Sequence, residues 1–183
     1  DLRLFQEPAG SDFAAALRAP KRIRGLILMT ATPRFVRAAD WRPAMAAETL
    51  DQFHDGLLAD QSATLGRFLT LQVRGSDRAR EVLRSLRHDL AQRPAPNPAA
   101  LALGLDLLRD EDLRGPLPDL RPPSLWLFGS RDALVPAEVA DRIALLLPQA
   151  RTHVIPGAAH APFLSHPEQT ADSIRAFLAG LDP

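Results

Sequence analysis

The sequence predicts an α/β protein, a parallel sheet covered by helices and interrupted by an all-helical block. Three observations carry this. The short, nearly continuous apolar run "RIRGLILMTATP" (22–33) reads as a strand buried on both faces, and "PSLWLFGS" (123–130) as a strand with a turn at its end. Strand-like and helix-like segments alternate on either side of a central block, which is the pattern of an open parallel sheet. Within that block, from about Asp40 to Leu108, the apolar residues recur at helical spacing.

Taken in order, "DFAAALRA" (12–19) has helical composition and Pro20 ends it. The first apolar run follows, bounded by basic residues and by Pro33. In the central block, Leu50, Phe53, Leu57 and Leu58 form one helical face. Leu65, Phe68, Leu69 and Leu71 form a second, and Val82, Leu83, Leu86 and Leu90 a third. Arg80, Arg84 and Arg87 make a row on another side of that third stretch. "RPAPNP" (93–98) breaks the pattern before a further helical stretch, "PAALALGLDLLRD". After the second apolar run come a helix at 136–148, a strand at 151–157 and a terminal helix at 166–181. The division expected is therefore 1–39 with 109–183 as the sheet-bearing part and 40–108 as a helical insertion.

Composition narrows the functional classes. Basic and acidic residues balance at 22 each, so no global field favours nucleic acid or a membrane surface. The absence of cysteine excludes disulfides and thiolate metal sites. No apolar run reaches the roughly 20 residues of a membrane span. A cytoplasmic monomer needing no metal or cofactor is the expectation. The first residue is Asp rather than Met, which leaves a fragment, a processed chain or a mis-called start open.

The chemistry lies at strand ends, where open α/β sheets gather their ligands. Asp132 follows one strand in "GSRDALVP" and His160 follows the next in "GAAHAPFLSHP". One helix and one strand separate them, so their loops can lie side by side. An acid that accepts the Nδ1 hydrogen of an imidazole fixes its tautomer and stabilises the imidazolium formed when Nε2 takes a proton. Each residue also has a plain structural role open to it: Asp132 as a cap for the helix near Pro136, His160 as an ordinary loop histidine.

These two stretches together resemble the C-terminal part of the α/β-hydrolase family. That family places its acid in G-x-x-D-x-x-V-P and its histidine in a small-residue loop followed by P-E. Asp132, Val135 and Pro136 fit the first pattern; Gly157, His160, Pro167 and Glu168 fit the second. The fold implied is the C-terminal part of an α/β-hydrolase parallel sheet, with the helical block as its cap. More narrowly, "MTATPRF", "RFLTLQVRGSDRAREVLRSL" and "AAHAPFLSHP" resemble the esterases that act on pimeloyl methyl esters held by acyl-carrier protein in biotin synthesis. That resemblance implies a carboxylesterase with an acyl-carrier protein as partner. It implies an acyl channel lined by Phe68, Leu69, Thr70, Leu71 and Gln72, and carrier contacts from Arg67, Arg80 and Arg84. Read without it, Phe68, Leu69 and Leu71 serve equally well to pack the cap, and the arginines as a solvated face. Residues 67–93 do hold seven arginines against three acids, which would suit an acidic partner.

The family's serine sits in G-x-S-x-G, a strained strand-to-helix elbow. That pentapeptide does not occur in the 183 residues. Counting back from the first helix places the elbow near residues 4–10, with Gln6 about where the serine belongs. Ser11, Ser76 and Ser130 lack the glycine-flanked strand-to-helix setting that the elbow requires. The expectation is a C-terminal portion of such an esterase with little or no activity by itself. The alternatives are a general α/β-hydrolase of other substrate, or a homologue that lost catalysis and kept carrier binding.

Overall fold

The computed structural model describes residues 2–5 and 10–181, with the side chains of 13 and 15–181. Four strands form one wholly parallel sheet in the order β1 (Leu2–Phe5), β2 (Gly25–Met29), β3 (Ser124–Gly129), β4 (Arg151–Ile155). β1 is a strand that the sequence pattern does not announce. Helix α1 (Gly10–Arg18) follows it. Gln6, the expected elbow position, lies outside the described residues, as does the side chain of Ser11.

Every residue of β2 and β3 is buried, as their unbroken apolar runs require. Alternate side chains serve different layers. Leu26, Leu28, Trp126 and Phe128 pack with Phe13 and Ala16 of α1 and with Val139 and Ile143 of α6 (Val139–Leu146). Ile27, Met29, Leu125 and Leu127 pack against Ile174 and Phe177 of α8 (Pro167–Ala179). β4 buries only Ile155 fully, as befits a strand with one described neighbour.

Between β2 and β3 stand four helices: α2 (Ala47–Ala59), α3 (Gln61–Val73), α4 (Ala79–Ala91) and α5 (Pro98–Asp110). Asp60 caps α3 by accepting the Ala63 N–H, and Asn97 caps α5 by accepting that of Ala99. Pro98 opens α5, where its missing N–H costs nothing. Residues 40–46, assigned to the insertion by composition, are not helical. Val36 bridges Met45 and Ala38 bridges Trp41, while Trp41 and Ala44 are buried in the sheet's own core. Leu50 is buried as expected, but Leu58 is 75 % exposed, because it is turned away from the stripe that Leu50 and Phe53 occupy.

The two chain segments that enter and leave the insertion are tied together. Arg34 bridges Asp112 through the backbone and through a 2.7 Å ion pair. Arg114 binds both Asp112 and Asp40, and lies 5.5 Å above the Trp41 ring.

Candidate active site

β3 ends at Gly129 and delivers Asp132 one turn later, where the Asp132 N–H returns to the Gly129 carbonyl at 3.2 Å. The Asp132 side chain is wholly buried. Its Oδ1 accepts the N–H groups of Leu134 (2.8 Å) and Val135 (3.0 Å), fixing the turn that leads to α6. Its Oδ2 accepts the Nδ1–H of His160 at 2.8 Å. A carboxylate only accepts, so Nδ1 carries the hydrogen, and in the neutral imidazole Nε2 is left with its lone pair. Asp132 thus stiffens its own turn and orients the imidazole, but it does not cap α6, whose N-cap position is Glu138 and carries no side-chain cap bond.

His160 is held at both ends of its backbone. Its N–H donates to the Gln72 carbonyl at 3.0 Å, and its carbonyl accepts from Thr30 Oγ1 at 3.0 Å. Thr30 itself has φ +49, a left-handed conformation rare for a β-branched residue and worth about 1–3 kcal/mol of strain. That conformation ends β2 and aims the hydroxyl at the histidine loop. Ser130 donates its N–H to the Ile155 carbonyl and accepts the Gly157 N–H at 2.9 Å, stitching the acid and histidine loops together. Gly157 has φ +78, and a Cβ there would stand 2.1 Å from Asp77 Oδ2, so both backbone and space demand glycine.

The imidazole borders a cavity of about 160 Å³, walled by Phe35, Phe68, Leu134, Val135 and Phe163 among others, with Thr30, Thr32, Gln72 and Glu111 as its further polar members. Phe68 and Leu108 also wall a second cavity of about 240 Å³ inside the helical insertion. Its other walls include Phe53, Leu57, Leu65, Leu101 and Leu105, and Thr64 is its one polar side chain, already bonded to Arg67. Phe53 and Phe68 meet edge to face at 5.7 Å. A basic nitrogen beside a mostly apolar cleft can take a proton from a hydroxyl or water and return it to a leaving group.

Of the segment Phe68–Gln72, the structure brings only Phe68 and Gln72 to the cavity beside His160. These stand four apart on one helical face. Leu71 packs in the insertion's core with Val36, Met45 and Leu134. Leu69 lines neither cavity, and Thr70 is exposed with its hydroxyl bonded to the Gly66 carbonyl. A run of five was the expectation; a helix can offer one face. Arg80 and Arg84 are exposed on α4, and among the described residues they make no ion pair. Arg67 stands apart from them, beside Thr64 and Gly56. Ser76 accepts the Arg78 N–H ahead of α4 rather than capping the helix itself. Thr30 and the α3–α4 turn go unnoticed in the sequence, while Gly129 shows only as the first residue of the acid's motif.

A sequence profile of the alpha/beta hydrolase fold matches residues 13–167. The chain is 47 % identical over 169 residues to a "Pimeloyl-[acyl-carrier protein] methyl ester esterase" of Stenotrophomonas maltophilia, covering 92 % of this chain and 65 % of that one. A protein of the same name from Xanthomonas oryzae pv. oryzae is 47 % identical over 167 residues, covering 91 % and 66 %. The chain thus spans about 65 % of the length of these curated relatives. The crystal structure of a bromoperoxidase from Bacillus anthracis superposes with a TM-score of 0.84 over 97 % of this chain and 67 % of its own, at 21 % identity, a likeness of fold. With the acid and histidine loops at the ends of adjacent parallel strands and the profile match running through both, the chain belongs to the alpha/beta hydrolase fold family.

Proposed function

We propose that this chain carries the acid–base half of a serine carboxylesterase that hydrolyses the methyl ester of a pimeloyl group held on acyl-carrier protein. The observation that carries the reading is the 2.8 Å Asp132–His160 hydrogen bond beside an apolar cavity. The printed names of relatives 47 % identical supply the substrate. In such a reaction Nε2 of His160 takes the proton of the attacking hydroxyl, and Asp132 stabilises the imidazolium. The same proton passes to the departing methoxide as methanol. His160 then deprotonates the water that releases the acid. Each methylene placed against Phe68 or Leu134 would contribute ~0.8 kcal/mol. The exposed Arg80 and Arg84 would steer an acidic carrier.

A second reading, carrier binding without turnover, is favoured by the lack of G-x-S-x-G in the 183 residues. One mixture tests both. Calorimetric titration with acyl-carrier protein bearing the pimeloyl methyl ester should give saturable binding, weaker with the unacylated carrier. No binding, or equal binding of both forms, overturns the proposal. Methanol release in the same mixture separates the readings: none is expected if this chain lacks its nucleophile, and a serine-dependent release would overturn the binding-only reading. A panel of short acyl esters would show a general hydrolase by cleaving as well as the carrier-bound substrate.

A further inference from the structure

The turn between α3 and α4 belongs to the helical insertion, yet it touches both loops of the acid–histidine pair. At its start, the Gln72 carbonyl accepts the His160 N–H at 3.0 Å. In its middle, the Gly75 carbonyl accepts Arg131 Nη1 at 3.0 Å, and Asp77 Oδ1 accepts the same nitrogen at 2.5 Å. The Asp77 N–H donates to the Gly157 carbonyl at 3.1 Å. At its end, Arg78 Nη1 reaches the Ser165 carbonyl, beyond the histidine, at 3.2 Å. Arg131 is the residue before Asp132, and its own N–H bonds the Ala158 carbonyl at 2.9 Å. One short segment therefore grips the residue next to the acid, the glycine that opens the histidine loop, and the histidine backbone.

We propose that Asp77 and Arg131 are positioning residues, and that the α3–α4 turn couples the placement of the helical insertion to the Asp132–His160 alignment. Neither side chain touches the imidazole. Arg131 is about half exposed and Asp77 likewise, so their ion pair adds little to global stability. Its effect is local: it bridges the insertion to the acid loop beside the points where the Gln72 carbonyl and the Asp77 N–H hold the histidine loop. When the insertion moves away from the sheet, the Gln72 and Asp77 anchors go with it, and His160 keeps only Thr30 and Asp132. The assignment of a general-base role to His160 rests on the proposed function; the coupling itself is geometric and is tested without turnover.

The test follows the His160 Nδ1 proton by NMR in the ¹⁵N-labelled full chain. Asp77→Ala and Arg131→Ala should each speed its exchange with water by about fivefold, the most that an exposed pair of this kind is worth. The charge-swapped double variant Asp77→Arg with Arg131→Asp should restore the slow rate. Arg175→Ala removes another exposed ion pair, to Asp172 on α8, and should leave the rate unchanged. Should a single variant fold poorly, Arg131→Lys keeps the charge and should hold the exchange near the parent rate. Singles within twofold of the parent overturn the proposal. So does an Arg175 variant that moves the proton as much as they do, since the effect would then be global. Carrier binding unchanged alongside faster exchange would leave the proposed function intact and place the effect on alignment alone.

Discussion

Gly129 and Ala159 come so close that a Cβ built on residue 129 would stand 2.2 Å from the Ala159 carbonyl oxygen. The last residue of β3 and the residue before the histidine are thus in backbone contact, and this contact sets the spacing of the two loops. Gly129→Ala must push the histidine loop outward. It should cost about 1–3 kcal/mol, as overpacking of a tight site does, and should broaden or remove the His160 Nδ1–H resonance. Chemical denaturation and NMR on the same variant check both.

Asp132→Asn separates charge from shape. The amide has one acceptor oxygen and one donor nitrogen, where the carboxylate accepted from three groups. If the oxygen keeps the Leu134 and Val135 N–H groups, the amide nitrogen faces His160 and forces the hydrogen onto Nε2, the wrong tautomer for a base. The expected cost is about 1–2 kcal/mol of stability, with Asp132→Ala costing more because three donors lose their partner. The ¹⁵N shifts of the imidazole report the tautomer directly.

Asp112 governs an acid-sensitive part of the stability. Hydrogen bonds from Arg114 hold its carboxyl well below the usual carboxylate range, against the opposing effect of burial and with help from Arg34. A group whose folded value is depressed contributes its stability above its unfolded value near 4 and loses it as pH falls toward the folded value. Asp112→Asn should therefore be less stable than the parent at pH 7 by about 1–2 kcal/mol, a figure reduced for partial exposure. The gap should narrow below about pH 4. Urea melts across pH 2–7 give the comparison.

Gly104 faces the cavity inside the insertion, and a Cβ there meets nothing within 4 Å. Gly104→Leu should fill that space and remove a helix-interior glycine, raising stability by up to about 1 kcal/mol. If acyl chains extend past Phe68, the variant should bind long-chain methyl esters more weakly than the parent and short ones equally. Displacement of a fluorescent fatty acid, with esters of increasing length, decides it.

Reversal of charge at Arg80 and Arg84 breaks no ion pair among the described residues but sets like charges beside Glu81, which Arg84 otherwise favours, so only a small loss of stability is expected. Binding to the acylated carrier should weaken by roughly tenfold at low salt, about 0.7 kcal/mol per site, and much less at high salt, where exposed charges are screened. Titrations at two ionic strengths provide the measurement.

The sequence displays what is local. β2 and β3 are legible because fully buried strands write themselves as apolar runs, and the pairing of Asp132 with His160 because each lies in a loop within a few residues of a strand's end. α2–α5 are legible from their periodicity. β1 is not, since "LRLF" is too short for a period to show. The grip of Gly75 and Asp77 on Arg131 joins residues more than fifty apart, and no local pattern records it. Leu69 and Thr70 fall away from the cavity for a related reason: a matched stretch is linear, whereas a helix divides it among its sides. The stretch 40–46 is not helical, in keeping with Pro43 at its middle, and it turns Trp41 and Ala44 into the sheet's core.

β3 sorts its side chains by parity, with Leu125 and Leu127 going to one layer and Trp126 and Phe128 to the other, and then runs straight into the loop bearing Asp132. Losing one residue from this strand would exchange the two sets and swing the carboxylate round with them. Within the strand, the count that sorts grease into layers is also the clock that times the arrival of the acid, so a slip there cannot spoil the one and spare the other.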